Sequence, residues 1–334
     1  MVPFLTGTNM NYIGKRLRLP TLWGVTWLPV FLMPTSSSAA PDKNHTAGQA
    51  RQQTTATTKP KSAKEQKAQP ESFVLVGAGD IVGCSSLAGA AATAKLIEQI
   101  PGTVFAAGDL AYEHGTAEEF QNCYDATWGK FKDRTRPAPG NHEYYSQDGK
   151  VYFEYWGERA GPAGKGYYSY DLGNWHVIAL NTNCDAPGVG GCGAGSDEEK
   201  WLREDLAAHP KSCILAYGHH ALYSSGIFKR HAIHPELREF WRDLYAAHAD
   251  LMLGGHEHSY ERFAPQDPDG HLDPQNGMRE IVVGTGGRSH HPLGMALPNS
   301  EVRNSDSFGV LKFDAFAAEL HLAVYSCKWR GGVP

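Results

Sequence analysis

The 334-residue chain has no excess of one charge and no long basic stripe: 31 Lys and Arg stand against 36 Asp and Glu, a formal net charge of −5. Phosphate-backbone recognition needs such a stripe, so no nucleic-acid partner is expected. The apolar centre of the N-terminal segment, Leu22 to Met33, falls short of the roughly 20 residues of a bilayer span. From Pro41 to Pro70 there is no Val, Ile, Leu, Met, Phe, Trp or Tyr, so that segment has nothing with which to build a core. The six cysteines lack metal-type spacing, and there is no internal repeat. What remains, 41% hydrophobic and 11% aromatic, is a globular composition that excludes wholesale disorder.

Residues 1–40 read as a signal peptide or membrane anchor. Lys15, Arg16 and Arg18 precede a charge-free stretch from Leu19 to Pro41, and Ser36, Ser37, Ser38, Ala39 and Ala40 supply small residues for cleavage. Residues 41–70 read as a disordered, mildly basic linker, and 71–334 as the folded domain. This places the protein outside the cytoplasm, secreted or periplasmic or at the cell surface, with membrane contact only where the first segment is uncleaved. Disulfides follow from that setting. Cys184 and Cys192 bracket a Gly- and Pro-rich loop and are the first expected pair, Cys84 and Cys123 the second, while Cys213 lies in an apolar run as a buried thiol.

Brief apolar runs at Ser72–Ala78, Thr103–Ala107, Cys213–Tyr217 and Leu251–Leu253 predict buried strands. Helical patterns cover Leu87–Gln99, Ser196–Ala208 and Glu236–His248. The second opens with Ser196 and Glu199 at capping-box spacing, and the third follows Pro235. Gly166–Asp171, Trp175–Asn181, Glu280–Val283, Gly309–Phe313 and Leu320–Tyr325 suggest antiparallel strands. The order fits an α/β fold of two packed mixed β-sheets flanked by helices better than one doubly wound sheet.

Five apolar runs or approaches to a turn end in a residue able to bind a metal: Gly79-Asp80, Gly108-Asp109, Gly140-Asn141-His142, Gly218-His219-His220 and Gly255-His256-Glu257-His258. Ligands of α/β folds gather at strand carboxyl ends, where a glycine lets the backbone turn and approach closely. Oxygen and imidazole donors without thiolates favour a two-metal site of Fe, Zn or Mn.

In their order these blocks resemble the purple acid phosphatases within the calcineurin-like metallophosphoesterases. The likeness runs from about Phe73 to Tyr325 and includes Gly108-Asp109-Leu110-Ala111-Tyr112, Gly140-Asn141-His142-Glu143 and Gly255-His256-Glu257-His258-Ser259-Tyr260-Glu261-Arg262. The resemblance implies a four-layer αββα sandwich. It implies that Asp80, Tyr112 and His258 bind a ferric ion, Fe(III), that Asn141, His219 and His256 bind a divalent metal (Fe, Zn or Mn), and that Asp109 bridges the two. Tyr112 discriminates the purple group, because a phenolate suits a ferric centre and gives a visible colour. His142, which no metal bond requires, is the candidate catalytic residue, contacting phosphate or protonating the leaving group.

The chain departs from the family pattern in places. Gly83 falls one place late in the first block, and His219-His220-Ala221 replaces a His-x-Pro block, so His219 is preferred over His220 on its spacing to Tyr223 and the double-His form of similar sequences. His231 and His234 are read as surface residues, Glu261-Arg262 as an ion pair or loop anchor, and Glu143 as a partner that orders His142 or the surrounding shell. The expected activity is acid hydrolysis of small phosphate monoesters by attack of a metal-bound hydroxide, with two cations roughly 3.5–4 Å apart clamping the phosphoryl oxygens. Phosphodiester hydrolysis of nucleotides or phospholipid head groups shares that core and is the alternative, with the Cys184–Cys192 loop and the Glu261–Pro274 segment as the expected walls. A binding or scaffold protein that has lost turnover is the competing class. No basic pocket is legible.

Overall fold

The computed structural model describes residues 72–211, 213–228, 234–316 and 319–327; the export segment, the linker and His231 lie outside the described residues. Among the described residues fourteen strands form, in chain order. They are β1 (Ser72–Ala78), β2 (Val82–Gly83), β3 (Thr103–Ala107), β4 (Ala111–Tyr112), β5 (Thr135–Ala138), β6 (Tyr168–Leu172), β7 (Trp175–Ala179), β8 (Cys213–Tyr217), β9 (Leu251–Gly254), β10 (Tyr260–Phe263), β11 (Arg279–Val283), β12 (Ser300–Asn304), β13 (Phe308–Phe316) and β14 (Glu319–Cys327). One sheet has the order β14-β13-β1-β3-β5 and the other β12-β10-β11-β9-β8-β7-β6, with β2 and β4 paired separately. The first is parallel through β1, β3 and β5, and the second is parallel through β7, β8, β9 and β11.

Two expectations are corrected here. Trp175–Asn181 and Glu280–Val283 are antiparallel only to one neighbour each, β6 and β10; on the other side β7 lies parallel to β8 and β11 parallel to β9. The reason is burial: every residue of β7 is buried, as a strand covered on both faces must be, and helical crossovers supply the cover. Five strands also escape the apolar-run criterion. β2 and β4 are only two residues long each, β5 contains Pro137, tolerated because among the described residues β5 is an edge strand without a further partner, and β10 and β12 carry charged residues.

Side chains alternate across the second sheet with the period of two that a strand imposes. Val177, Leu215, Tyr217 and Leu253 join the core between the sheets, whereas Ile178, Ile214, Ala216 and Met252 face the helices. Helix α1 (Ala88–Glu98) packs on β13 and β14, burying Ala90, Thr93, Ala94 and Ile97 at the spacing of one helical face. Helices α2 (Asp197–Ala208) and α3 (Arg238–Ala246) cover the other sheet. Phe240, Trp241 and Leu244 of α3 are almost fully buried, each contributing roughly 1.5–3 kcal/mol. The result is the four-layer α/β sandwich. Ser196 caps α2 as expected, accepting the Glu199 amide at 3.3 Å, although the Glu199 carboxylate turns to Gly195 N instead. Cys84–Cys123 and Cys184–Cys192 are both bonded, and Cys213 is a free, buried thiol.

At the outer edge of this sheet His176 is held between two carboxylates: Nδ1 lies 2.9 Å from Asp171 Oδ1 and Nε2 lies 2.8 Å from Asp205 Oδ2. Two such bonds require protons on both nitrogens, which is the imidazolium form. Burial alone would lower the His176 pKa, but Asp205 and Asp171 outweigh it and raise it above 6.5. His209 and Lys211 share the same carboxylates. A raised histidine pKa contributes stability that is complete below the unfolded value and is lost as pH rises through the folded one. Substituting His176→Asn should therefore cost about 1–3 kcal/mol at pH 6 and clearly less at pH 9, read from thermal unfolding at the two values; an equal cost at both would show that the imidazolium pair contributes nothing.

Candidate metal centre

Parallel strands from both sheets deliver their carboxyl ends to one rim. Asp80 follows β1, Asp109 follows β3, Asn141 follows β5, His219 follows β8, and His256 and His258 follow β9. The turns are tight enough to force Asp80, Asp109 and His256 to positive φ (59°, 52° and 68°), a region that costs non-glycine residues of order 1–3 kcal/mol each and persists where the surroundings over-determine it. Two preceding glycines are required by close approach. At Gly108, with φ 76°, a Cβ would stand 2.4 Å from His219 Nδ1, and at Gly140 it would stand 2.1 Å from Asp109 Oδ1.

Two groups of donor atoms result. In the first, the Tyr112 hydroxyl lies 2.7 Å from Asp80 Oδ1, 2.8 Å from Asp109 Oδ2 and 3.1 Å from His258 Nε2. One phenolic proton cannot satisfy three acceptors. In the second, His219 Nε2 lies 3.2 Å from Asn141 Oδ1, 3.1 Å from His256 Nδ1 and 3.2 Å from Asp109 Oδ2. Its other nitrogen meets the Ala107 carbonyl at 3.0 Å, which places the neutral ring's proton there and leaves a lone pair at Nε2 facing further lone pairs. Asp109 Oδ2 belongs to both groups. Ligands about 2.0–2.2 Å from a common ion stand roughly 3 Å from one another, so the hard oxygen and imidazole donors fit two cations sharing one carboxylate oxygen.

The electrostatics show the same crowding. Burial, then the Asp109 and Asp80 carboxylates, hold the Tyr112 phenol well above its ordinary value. Burial would raise Asp109, but His219 and His142 hold it well below the usual carboxylate range, and Asp109 in turn pushes His219, against burial, up to about 9. His142 sits beside the pair with Nδ1 2.6 Å from the Glu113 carbonyl, Nε2 3.8 Å from Asp109 Oδ2 and its ring centre 4.3 Å from that of Tyr112. A carbonyl only accepts, so the Nδ1 proton is committed to it and Nε2 is the working end.

Residues 65–260, more than half of the chain, match the family model described as Calcineurin-like phosphoesterase. The chain belongs to the calcineurin-like phosphoesterase family. Among curated relatives it is 29% identical over 231 residues to purple acid phosphatase 23 of Arabidopsis thaliana, covering 58% of this chain and 48% of the relative. It thus spans about half the length of that relative. Among solved structures it matches purple acid phosphatase PPD1 of yellow lupin (Lupinus luteus) with a TM-score of 0.58 at 22% identity, covering 77% of this chain and 52% of the other. It also matches GAP50, the anchor in the inner membrane complex of Plasmodium, with a TM-score of 0.57 at 15% identity, covering 77% and 88%.

Within this phosphoesterase fold all seven residues expected as ligands, and His142, come together. His220 engages Thr182 Oγ1 through Nδ1 at 2.9 Å and stands in the cavity wall beside His219 and His256, a donor atom of each of the three lying within 4.8 Å of the others. His234 corrects an expectation: it is no surface residue, its side chain being 12% exposed and its ring centre 4.6 Å from His220 and 5.5 Å from His256, in the wall of the site. The expected walls are also corrected. The cavity, of about 610 Å³, is lined by Glu113, Tyr145, His234, Arg288 and His291 around the donors, and by no residue of the Cys184–Cys192 loop or the Glu261–Pro274 segment. Those segments pack instead on the helices, through the Asp197 amide on Gly190 O and through Arg238 on Pro268 O and Asp269. Arg288 and His291 stand outside the blocks expected from the sequence, and Arg288 brings a cation to the pocket. The rule that found the other loops, a glycine after an apolar strand, applies equally to Gly284-Thr285-Gly286-Gly287-Arg288 after β11.

Buried glutamates hang these loops in place. Glu143 accepts the amides of Gly140 (2.7 Å), Asp109 (2.9 Å) and Leu110 (2.8 Å), so it orders the metal loops rather than the His142 ring, while burial and Asp109 push its carboxyl up to about 7. Glu261 is the expected loop anchor, accepting Ser225 N at 2.7 Å, and Arg262 pairs with Glu301. Glu143 also accepts Ala111 N at 3.3 Å, so Glu143→Ala would strand four buried donors and is predicted to lower stability by roughly 3 kcal/mol or more, measured by urea unfolding; a loss below about 1 kcal/mol would mean that water replaces the carboxylate without penalty.

Proposed function

We propose that the protein is a dinuclear-metal phosphoester hydrolase, acting as an acid phosphatase on small phosphate monoesters. The observation that carries this reading is Asp109 Oδ2, shared between the Tyr112 and His219 donor groups. In this reading Asp80, Tyr112 and His258 would hold Fe(III), Asn141, His219 and His256 would hold a divalent Fe, Zn or Mn ion, and Asp109 would be shared by the two sites. Bound together, such cations lower the pKa of water and neutralise phosphoryl oxygens. The chain's own residues do the rest. Asn141 brings a neutral oxygen where a carboxylate would cancel charge, leaving the site attractive to an anion. His142, its Nδ1 proton fixed on the Glu113 carbonyl, delivers a proton from Nε2 to the leaving oxygen as the phosphorus–oxygen bond breaks. His220 and His234 line the same cavity on the His256 side, within reach of phosphoryl oxygens.

The likeness to purple acid phosphatases supports this chemistry, and because one fold can carry several functions the reading rests on the donor site. Two disulfides and the basic-then-apolar N-terminal sequence support a secreted, periplasmic or cell-surface setting. Among the described residues no helix is long and apolar enough to cross a membrane.

The test compares a chromogenic phosphate monoester with the matching diester on protein loaded with iron plus zinc or manganese. Monoester preference with an acid optimum is expected. Diester preference would replace the substrate assignment, and turnover of neither would favour a binding role. Asn141→Ala and His256→Ala should each lower kcat/KM by more than the roughly 10–100-fold typical of residues that only orient a ligand. Activity that survived both changes would place the chemistry elsewhere.

A further inference from the structure

The loop after β11 carries a cation that the proposed chemistry leaves unused. Its backbone is pinned: Gly286 N donates to the Gly79 carbonyl at 2.9 Å, Thr93 Oγ1 to the Gly286 carbonyl at 2.5 Å, and Arg288 N to the Asp80 carbonyl at 3.1 Å. The Arg288 side chain therefore departs from a fixed point beside a residue of the metal centre. Its guanidinium carbon lies 5.1 Å from the centre of the Tyr112 ring, in the cavity wall. One terminal nitrogen pairs with Glu113 Oε1, while the buried Nε has no hydrogen-bond partner among the described residues. The space depends on Gly83, where a Cβ would stand 2.8 Å from Arg288 Nε. The glycine that falls one place late in the first motif is thus the residue that admits the arginine.

A guanidinium is a planar fork that binds phosphate or carboxylate through parallel hydrogen bonds and does not lose its charge. Glu113, its present partner, has a side chain that is 53% exposed, so an incoming anion can displace it without uncovering a buried carboxylate. From the pinned loop, the guanidinium paired with a half-exposed carboxylate, the Tyr112 ring and the candidate metal centre, we infer that Arg288, admitted by Gly83, forms a second anion subsite beside that centre. The preferred substrates then carry a second anionic group, phosphate or carboxylate, close to the scissile phosphate. This rests on the phosphoesterase reading only for the position of the first phosphate.

Calorimetric titration of the metal-loaded protein with methylphosphonate, methylenediphosphonate and phosphonoacetate tests the subsite. The measured quantity is the affinity for each two-anion ligand relative to methylphosphonate. That ratio should fall about 10-fold or more in Arg288→Gln and in Gly83→Ala, and should rise in Glu113→Gln, where the competing carboxylate is removed. A fall confined to methylenediphosphonate identifies the second group as phosphate, and one confined to phosphonoacetate identifies it as carboxylate. A ratio unchanged by Arg288→Gln for both ligands overturns the subsite, since any preference would then come from chelation by the metals. Glu113→Gln alters a half-exposed side chain and keeps the test open should Gly83→Ala not fold. Because the readout is binding, a wild-type protein that hydrolysed no phosphoester would contradict the functional reading and still leave this ratio to decide the subsite.

Discussion

One carboxylate oxygen, Asp109 Oδ2, lies 2.8 Å from a phenol and 3.2 Å from an imidazole nitrogen, each of which faces two further donor atoms. Lone pairs do not converge in this way in a buried place unless positive charge is shared among them. The rest of the molecule can be understood as what is needed to assemble that crowd. Two sheets are packed so that parallel strands of both open toward the same rim, and three donor residues are held at positive φ, where the chain alone would not rest.

Holding the crowd requires fixed loops, and the device used repeatedly is a buried glutamate accepting backbone amides. Glu143 ties the Asp109 and Asn141 turns together, Glu280 accepts Leu222 N and Tyr223 N behind the His219 loop, Glu261 accepts Ser225 N, and Glu198 accepts Asn181 N. Burial pushes Glu280 up to about 8 and raises Glu198 well above its ordinary value. Their charged forms are costly to bury, and the bonds they accept from backbone amides that the loops would otherwise leave unpaired offset part of that cost. Such a scaffold couples fold stability to site geometry. The His176 pair with Asp171 and Asp205, on the β6–β7 side of the second sheet, lies apart from this donor cluster.

Much of this was legible in the sequence, for a physical reason. Strands buried on both faces appear as short apolar runs, and a glycine before a donor marks a strand end, so β1, β3, β8 and β9 and the five donor-bearing blocks could be read directly, whereas Tyr112 and the choice of His219 over His220 came from the family resemblance alone. Strand direction was harder, because burial on two faces erases the alternation that distinguishes a half-exposed antiparallel strand, as in β7. β5 was hidden by Pro137, which only its edge position permits. His234, Arg288 and the true cavity walls depend on which loops meet in space, and local pattern does not encode that. Arg288 came closest to being visible, since its loop obeys the same strand-end rule, and Gly83 was noticed only as a departure from a motif.

The central claim is that Asp80, Tyr112, His258 and Asp109 surround one hard cation, with Tyr112 bound through its phenolate. The most direct measurement is the visible absorption spectrum of the iron-loaded protein beside that of Tyr112→Phe at equal iron content. The account predicts a phenolate-to-Fe(III) charge-transfer band in the wild type that is lost in the variant. A wild-type protein that binds iron without such a band, or a band that survives Tyr112→Phe, would contradict it.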